Sequence, residues 1–177
     1  VSPFVWPTLA ESPKPERLPE DVPADLLYST YLGGQGRDRG QDIVVDTNGY
    51  AYITGQTASS DFPTTPGAFD PTYNLSNDAF VVKLDATGGS LVYATYLGGN
   101  DWDEGYGIAL DGSGNAHVAG WTWSDDFPTT PSAYDTSLNG DSDAFVAMLN
   151  ADGTALTYAT YLGASGSDSA STIAVDN

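Results

Sequence analysis

Tyr96-Leu97-Gly98-Gly99 stands midway between Tyr31-Leu32-Gly33-Gly34 and Tyr161-Leu162-Gly163, so one motif occurs three times at even spacing, with a 65-residue period. Working outward, other landmarks keep the same spacing. Asp61-Phe62-Pro63-Thr64-Thr65-Pro66 returns as Asp126-Phe127-Pro128-Thr129-Thr130-Pro131, and Asp78-Ala79-Phe80-Val81 returns as Asp143-Ala144-Phe145-Val146. Ile43, Ile108 and Ile173 mark a third element. Register held across long loops is the signature of tandem copies of one structural unit.

Inside a unit, period-2 patterning and turn residues predict four strands. They are expected at Gly105 to Asp111, Asn115 to Thr122, Ala144 to Leu149 and Ala155 to Leu162, with counterparts at Gln41 to Asp46, Tyr50 to Thr57, Ala79 to Leu84 and Ser90 to Leu97. Gly112-Ser113-Gly114 and Asp152-Gly153 supply the tight reversals. Apolar residues on both phases, as in Phe80, Val81, Val82 and Leu84, predict sheets covered on both faces. No segment carries a sustained 3.6-residue apolar stripe, so the fold class is all-β.

Four hairpin-linked strands repeated with short connections describe a four-stranded antiparallel β-propeller blade better than a sandwich, which has no reason to repeat every fourth strand. The runs Tyr-Ala-Thr-Tyr-Leu-Gly-Gly at 93 to 99, Ile-Ala-Leu-Asp-Gly-Ser-Gly-Asn-Ala-His-Val-Ala-Gly at 108 to 120, Asp-Phe-Pro-Thr-Thr-Pro at 126 to 131 and Asp-Ala-Phe-Val at 143 to 146 resemble the SBBP family, the seven-bladed β-propeller repeat. The resemblance covers residues 27 to 177. It implies a large secreted or surface-associated prokaryotic protein, hence an extracellular or cell-surface location, and it implies a fold without implying a reaction.

The expected layout is a Pro-rich extended segment or linker at 1–26, a partial blade at 27–40 with a lone fourth strand over Leu27 to Leu32, complete units at 41–97 and 106–162, and a partial blade at 163–177. Two complete blades fall short of the roughly four to eight that close a propeller. Either the sequence is part of a longer chain, or copies complete one another by strand or blade exchange, as head-to-tail contacts would allow. Six of the eleven prolines precede Ala24. Phe4-Val5-Trp6 there reads as a spacer or as an apolar anchor on a neighbouring subunit.

Composition narrows the partners. Five Lys plus Arg against 24 Asp plus Glu give a formal net charge of −19, and Lys83 is the last basic residue. A phosphate-binding surface is therefore missing, and nucleic acid is not an expected partner. No run approaches the roughly 18 apolar residues of a membrane span, and there is no cysteine. The expected partners are other protein subunits, of this chain or of a larger surface assembly, with glycan as the alternative.

For chemistry the inventory is thin. His117, the only histidine, occupies the place of Tyr52 in the first unit, which marks it as a packing residue. No nucleophile elbow, phosphate-cradling loop or zinc motif is present, so no cofactor or enzymatic activity is expected. Asp-rich turns with glycine suit a hard cation, and Asp101, Asp103, Glu104, Asp111 and Asn115 are the candidate calcium ligands. The competing reading makes the Asp shared by all three copies (Asp38, Asp103, Asp168) a turn former bonded to its own backbone. Trp102, Trp121 and Trp123 are the candidate ligand contacts, because sugar rings stack on aromatic faces. Trp121 and Trp123 replace Gln56 and Ala58 of the first unit.

The sequence thus reads as a non-enzymatic extracellular structural or protein-interaction module that presents its Asp-Phe-Pro-Thr-Thr-Pro loops and acidic faces, and that self-assembles through incomplete blades into an oligomer or filament. A lectin-like, glycan-binding surface module is the alternative. A polysaccharide-active enzyme, resting on paired carboxylates such as Asp125 and Asp126, is a third.

Overall fold

The structure, a computed structural model, describes residues 26–176; the Phe4-Val5-Trp6 segment lies outside the described residues. Among the described residues eight strands form two four-stranded antiparallel sheets. The first is β1 (Asp38–Val45), β2 (Ala51–Thr57), β3 (Asp78–Leu84) and β4 (Leu91–Leu97). The second is β5 (Asp103–Leu110), β6 (Ala116–Thr122), β7 (Asp143–Leu149) and β8 (Leu156–Leu162). Strands follow chain order in each sheet. Every strand of the second keeps the bounds of its counterpart displaced by one repeat, from 38–45 against 103–110 to 91–97 against 156–162.

The apolar residues on both phases of β3 are buried on both faces of the first sheet. One face packs on the second sheet, where Tyr52, Val81, Tyr93 and Leu97 meet Ile108, Val118, Phe145 and Tyr161 in a single core. The other face carries a second core of Phe62, Phe80, Val82 and Tyr96. At roughly 1.5–3 kcal/mol for each fully buried large side chain, these two layers dominate the energetics of the described fold.

The sheets approach closely because β5 is glycine-rich where it crosses β2. A Cβ on Gly105 would collide with the Thr54 hydroxyl. Asp42 of β1 accepts the Ile108 backbone N–H at 2.9 Å, a polar tie across the same junction.

β1 and β5 start at Asp38 and Asp103, ahead of the Gln41 and Gly105 that the alternation suggests. Each contains a β-bulge, between Gly40 and Asp42 and between Gly105 and Gly107. A bulge inserts one unpaired residue and breaks the period-2 signal, so Asp103-Glu104-Gly105 reads as loop although it is paired with β6. The bulged residues, Gln41 and Tyr106, are re-aimed towards the end of the sheet that carries the site below.

The long loops after β2 and β6 are fastened to their sheets through the phenylalanine of each Asp-Phe-Pro-Thr-Thr-Pro motif, while Asp61, Pro66, Asp126 and Pro131 stay exposed. Phe127 is 3 % exposed and stacks on Phe145 with ring centroids 4.5 Å apart. Phe62 lies 4.8 Å from Phe80 in the same way. Beyond the phenylalanine the loop runs along the outer strand. Thr130 N–H donates to Ala159 O at 3.0 Å and Tyr161 N–H to Asp135 O at 3.2 Å, with Thr65 and Asp70 serving Ala94 and Tyr96 alike. An outer strand left bare is a template for pairing with other chains; here the loop takes up its free backbone groups.

The expected strand at Leu27 to Leu32 is absent, and residues 168–176 contain none either. A strand is defined by its ladder, and neither segment has a partner strand among the described residues. Both still lie against a sheet. Tyr28 stands over Gly88 as Tyr93 stands over Gly153 in the next sheet, each glycine having positive φ (66° and 72°) and no room for a Cβ beneath the ring. Ala170 N–H donates to Gly120 O of β6 at 3.2 Å.

His117 takes the structural place of Tyr52. Tyr52 approaches Asp46 at 3.4 Å and meets Tyr93 edge-on; His117 Nε2 lies 3.5 Å from Asp111 and its ring meets Tyr158 edge-on. Replacing His117 with Tyr is therefore expected to change stability by less than about 1 kcal/mol, as a shape-compatible swap. Urea unfolding measures it, and a loss of several kcal/mol would show that the imidazole has a role of its own.

Candidate binding site at the sheet junction

The connector between sheets is held by a polar clasp that recurs in each copy. Asp103 Oδ2 accepts the Gly99 N–H at 2.8 Å and the Ser124 hydroxyl at 3.0 Å; Asp38 does the same with Gly34 and Ser59. Asp126 Oδ1 accepts the Asn100 N–H at 2.8 Å, as Asp61 accepts that of Gln35. The doubled glycine of Tyr-Leu-Gly-Gly follows from this geometry. A Cβ on Gly98 would stand 2.6 Å from Asp103 Oδ2 and 3.1 Å from Asp78 Oδ1, and one on Gly99 would collide with Asp126.

Asp78, which opens one of the repeated runs and is no candidate ligand by sequence, faces Asp103 across the Gly98 backbone. Both are 0 % exposed. Burial pushes the carboxyl of each up to about 7, helped at Asp78 by the charge of Asp103 and at Asp103 by that of Asp126. Asp78 Oδ2 accepts the Asn74 N–H at 3.0 Å, while its Oδ1 has no partner among the described residues. The recurrence of Asp78 as Asp143 in the second unit is the signal that could have found it, but strand-initial aspartates ordinarily read as turn residues.

The calcium candidates do not form one site. Asp101, Asp103 and Glu104 lie at the start of β5, Asp111 and Asn115 just past its end, and an eight-residue strand separates its ends by roughly 25 Å. Each is also engaged locally. Asp111 accepts the Ser113 and Asn115 N–H groups and the Asn115 amide, which holds its carboxyl down at about 2. Asp101 accepts the Trp102 N–H at 2.9 Å. Glu104 is bonded by Gln41, with the Tyr106 hydroxyl 3.4 Å away. Among the described residues no group of three or more acidic or histidine side chains converges on one point. The turn reading of Asp103 needs one extension, because its bonds join the connector to β6 and are not confined to its own turn.

The three tryptophans do come together. Trp102 lies 5.8 Å from Trp121 and 6.2 Å from Trp123, and Trp121 lies 5.7 Å from Trp123, centroid to centroid. Trp102 donates its indole N–H to Gln56 of the first sheet at 3.1 Å, and Trp123 is 46 % exposed. The cluster sits at the clasp end of the sheets, opposite the Asp46 and Asp111 turns. Beside it Tyr106, Trp121 and Trp123 wall a cleft of about 290 Å³ floored by Ser142 and residues 167–169. A larger opening of about 840 Å³ lies at the other end, between the two turns. Lys83 is there, but its ammonium is drawn over the Tyr50 and Tyr52 rings, 4.9 and 4.8 Å from their centroids.

A family model described as SBBP, a beta-propeller repeat, matches residues 27–63 and 92–128. Each matched stretch runs through the clasp, from Gly33 to Asp61 and from Gly98 to Asp126. No curated protein matches the chain.

Proposed function

From the two matches to the SBBP β-propeller repeat, we propose a non-enzymatic structural or protein-interaction module whose two sheets are neighbouring propeller blades of 65-residue period. It acts at the prokaryotic cell surface or outside the cell. One observation supports the interaction reading above the rest. The first sheet packs on the second through Tyr52, Ala79, Val81, Tyr93 and Leu97. The outward face of the second sheet repeats that surface as His117, Ala144, Val146, Tyr158 and Leu162, still half-open, with Leu162 42 % exposed. A face built to receive a further blade is thus partly uncovered. A blade of a second copy fits it by the contacts already used within the chain, which is self-association of the head-to-tail kind.

Light scattering after gel filtration tests this. The mass of the particle is expected to rise with protein concentration, and Leu162→Asp, placing a charge on the open face, is expected to return it to the monomer with the fold intact. A monomer at every concentration would count against self-association.

Glycan binding is the second reading, supported by the convergence of Trp102, Trp121 and Trp123 around an exposed indole face. Polysaccharide cleavage finds less support, since Asp126 of the Asp125 and Asp126 pair is tied into the clasp through Asn100.

A further inference from the structure

At the junction between the two sheets, the space beside the end of β2 is filled by the protein itself. Trp102 reaches across to Gln56, and the bulged Gln41 bonds Glu104. One repeat further on, the same positions hold Tyr106 for Gln41, Trp121 for Gln56, Ser167 for Trp102 and Ser169 for Glu104. An indole and a carboxyethyl group have been exchanged for two hydroxymethyl groups, while the walls have gained three aromatic side chains, counting Trp123 in place of Ala58. The cleft of about 290 Å³ is what that exchange leaves open.

We propose that this cleft is a carbohydrate subsite that takes one neutral pyranose ring. The inference rests on the glycan reading above and gives it a place and a size. At the first junction a flat ring carrying an N–H donor already fits the equivalent space, as Trp102 demonstrates. A pyranose is a six-membered ring, thicker than an indole, with apolar C–H faces for Trp121 and Trp123 and hydroxyls at its rim. Ser167 and Ser169, both exposed, offer hydroxyl partners. Asp168 uses one oxygen for the Ala164 N–H at 2.9 Å, leaving the other for a sugar hydroxyl. The volume lies at the low end of ligand clefts, which run from roughly 300 to 1,000 Å³, so it has room for a single ring. The acidic Asp168 and the chain's net charge of −19 select against uronic acids and sulfated sugars.

The test is titration of the intact chain with neutral trisaccharides of glucose, mannose, xylose and N-acetylglucosamine, followed by tryptophan fluorescence and calorimetry. At least one is expected to bind. Ser167→Trp, which restores the side chain found at the first junction, is expected to weaken that binding at least tenfold without lowering the melting temperature. Trp123→Ala is expected to weaken it similarly and to remove the fluorescence change. Binding that survives Ser167→Trp in a folded protein would overturn the cleft as the subsite while leaving glycan binding standing. A chain that binds none of these sugars and none on a broad glycan array would overturn both.

Discussion

Lowering the pH from about 8 to about 5 is expected to stabilise the protein, and Asp103→Asn is expected to capture part of that gain at pH 8. Asp78 and Asp103 are fully buried with no basic side chain among the described residues bonded to either, and burial raises their carboxyls to about 7 in the folded chain against an ordinary value of 3.8. Between those values the folded state holds protons that the unfolded state has lost. Stability therefore falls as pH rises, until the folded groups have ionised as well. Each carboxyl contributes on the order of 2–4 kcal/mol over that window, or several degrees in melting temperature for a domain of this size. Below about pH 4 the trend reverses, because Asp111 and Asp135, held low by hydrogen bonds from Asn115 and Ser137, begin to protonate and lose them.

Thermal unfolding across pH 4 to 9 measures this directly. An Asn at 103 keeps an acceptor for the Gly99 N–H while removing the buried charge, so the variant should exceed wild type at pH 8 and equal it near pH 5. Asp78→Asn should behave alike. A wild-type profile that is flat from 5 to 8 would show that the pair is not held in the geometry described.

Truncating Phe127 to Ala should cost about 3–5 kcal/mol, the range for emptying a buried aromatic site. The ring is shared between the loop and both Phe145 and Tyr161. Its loss also releases the segment that satisfies Ala159 and Tyr161 on the outer edge of β8. Two effects should then appear together: a lower urea midpoint, and faster amide exchange at Ala159 and Tyr161 than at β6. The freed edge should promote aggregation. A destabilisation below about 1 kcal/mol with unchanged exchange would mean that the hydrogen bonds of Thr130 and Asp135 hold the loop without the ring.

Much of this architecture was legible in the order of residues. Alternation placed all eight strands, because a sheet reads its own side chains with a period of two and turns declare themselves through Gly, Asp and Asn. The errors fall where another physical term overrides that local code. Bulges at Gln41 and Tyr106 broke the alternation and hid the starts of β1 and β5. Leu27 to Leu32 has the composition of β4 without a partner strand among the described residues. The Asp-Phe-Pro-Thr-Thr-Pro loops are rich in turn residues, and that composition gave no sign that each is fastened down by one buried ring.

The candidate sites divide in the same way. The aromatic cluster was visible as three tryptophans close together in the chain, since Trp121 and Trp123 lie on or just past β6, and Trp102 just before its hairpin partner β5, so one register brings them together. The calcium candidates fall at the two ends of β5, because closeness in sequence along an extended strand is distance in space. What the sequence alone determined, then, is the repeated unit, its strands and its acidity, all set by local pattern and composition. The tertiary structure decided the pairing of Asp78 with Asp103, the fastening of the long loops and the cleft left by Ser167, because each depends on what one sheet places against the next, and contacts between residues far apart in the chain leave no periodic trace along it.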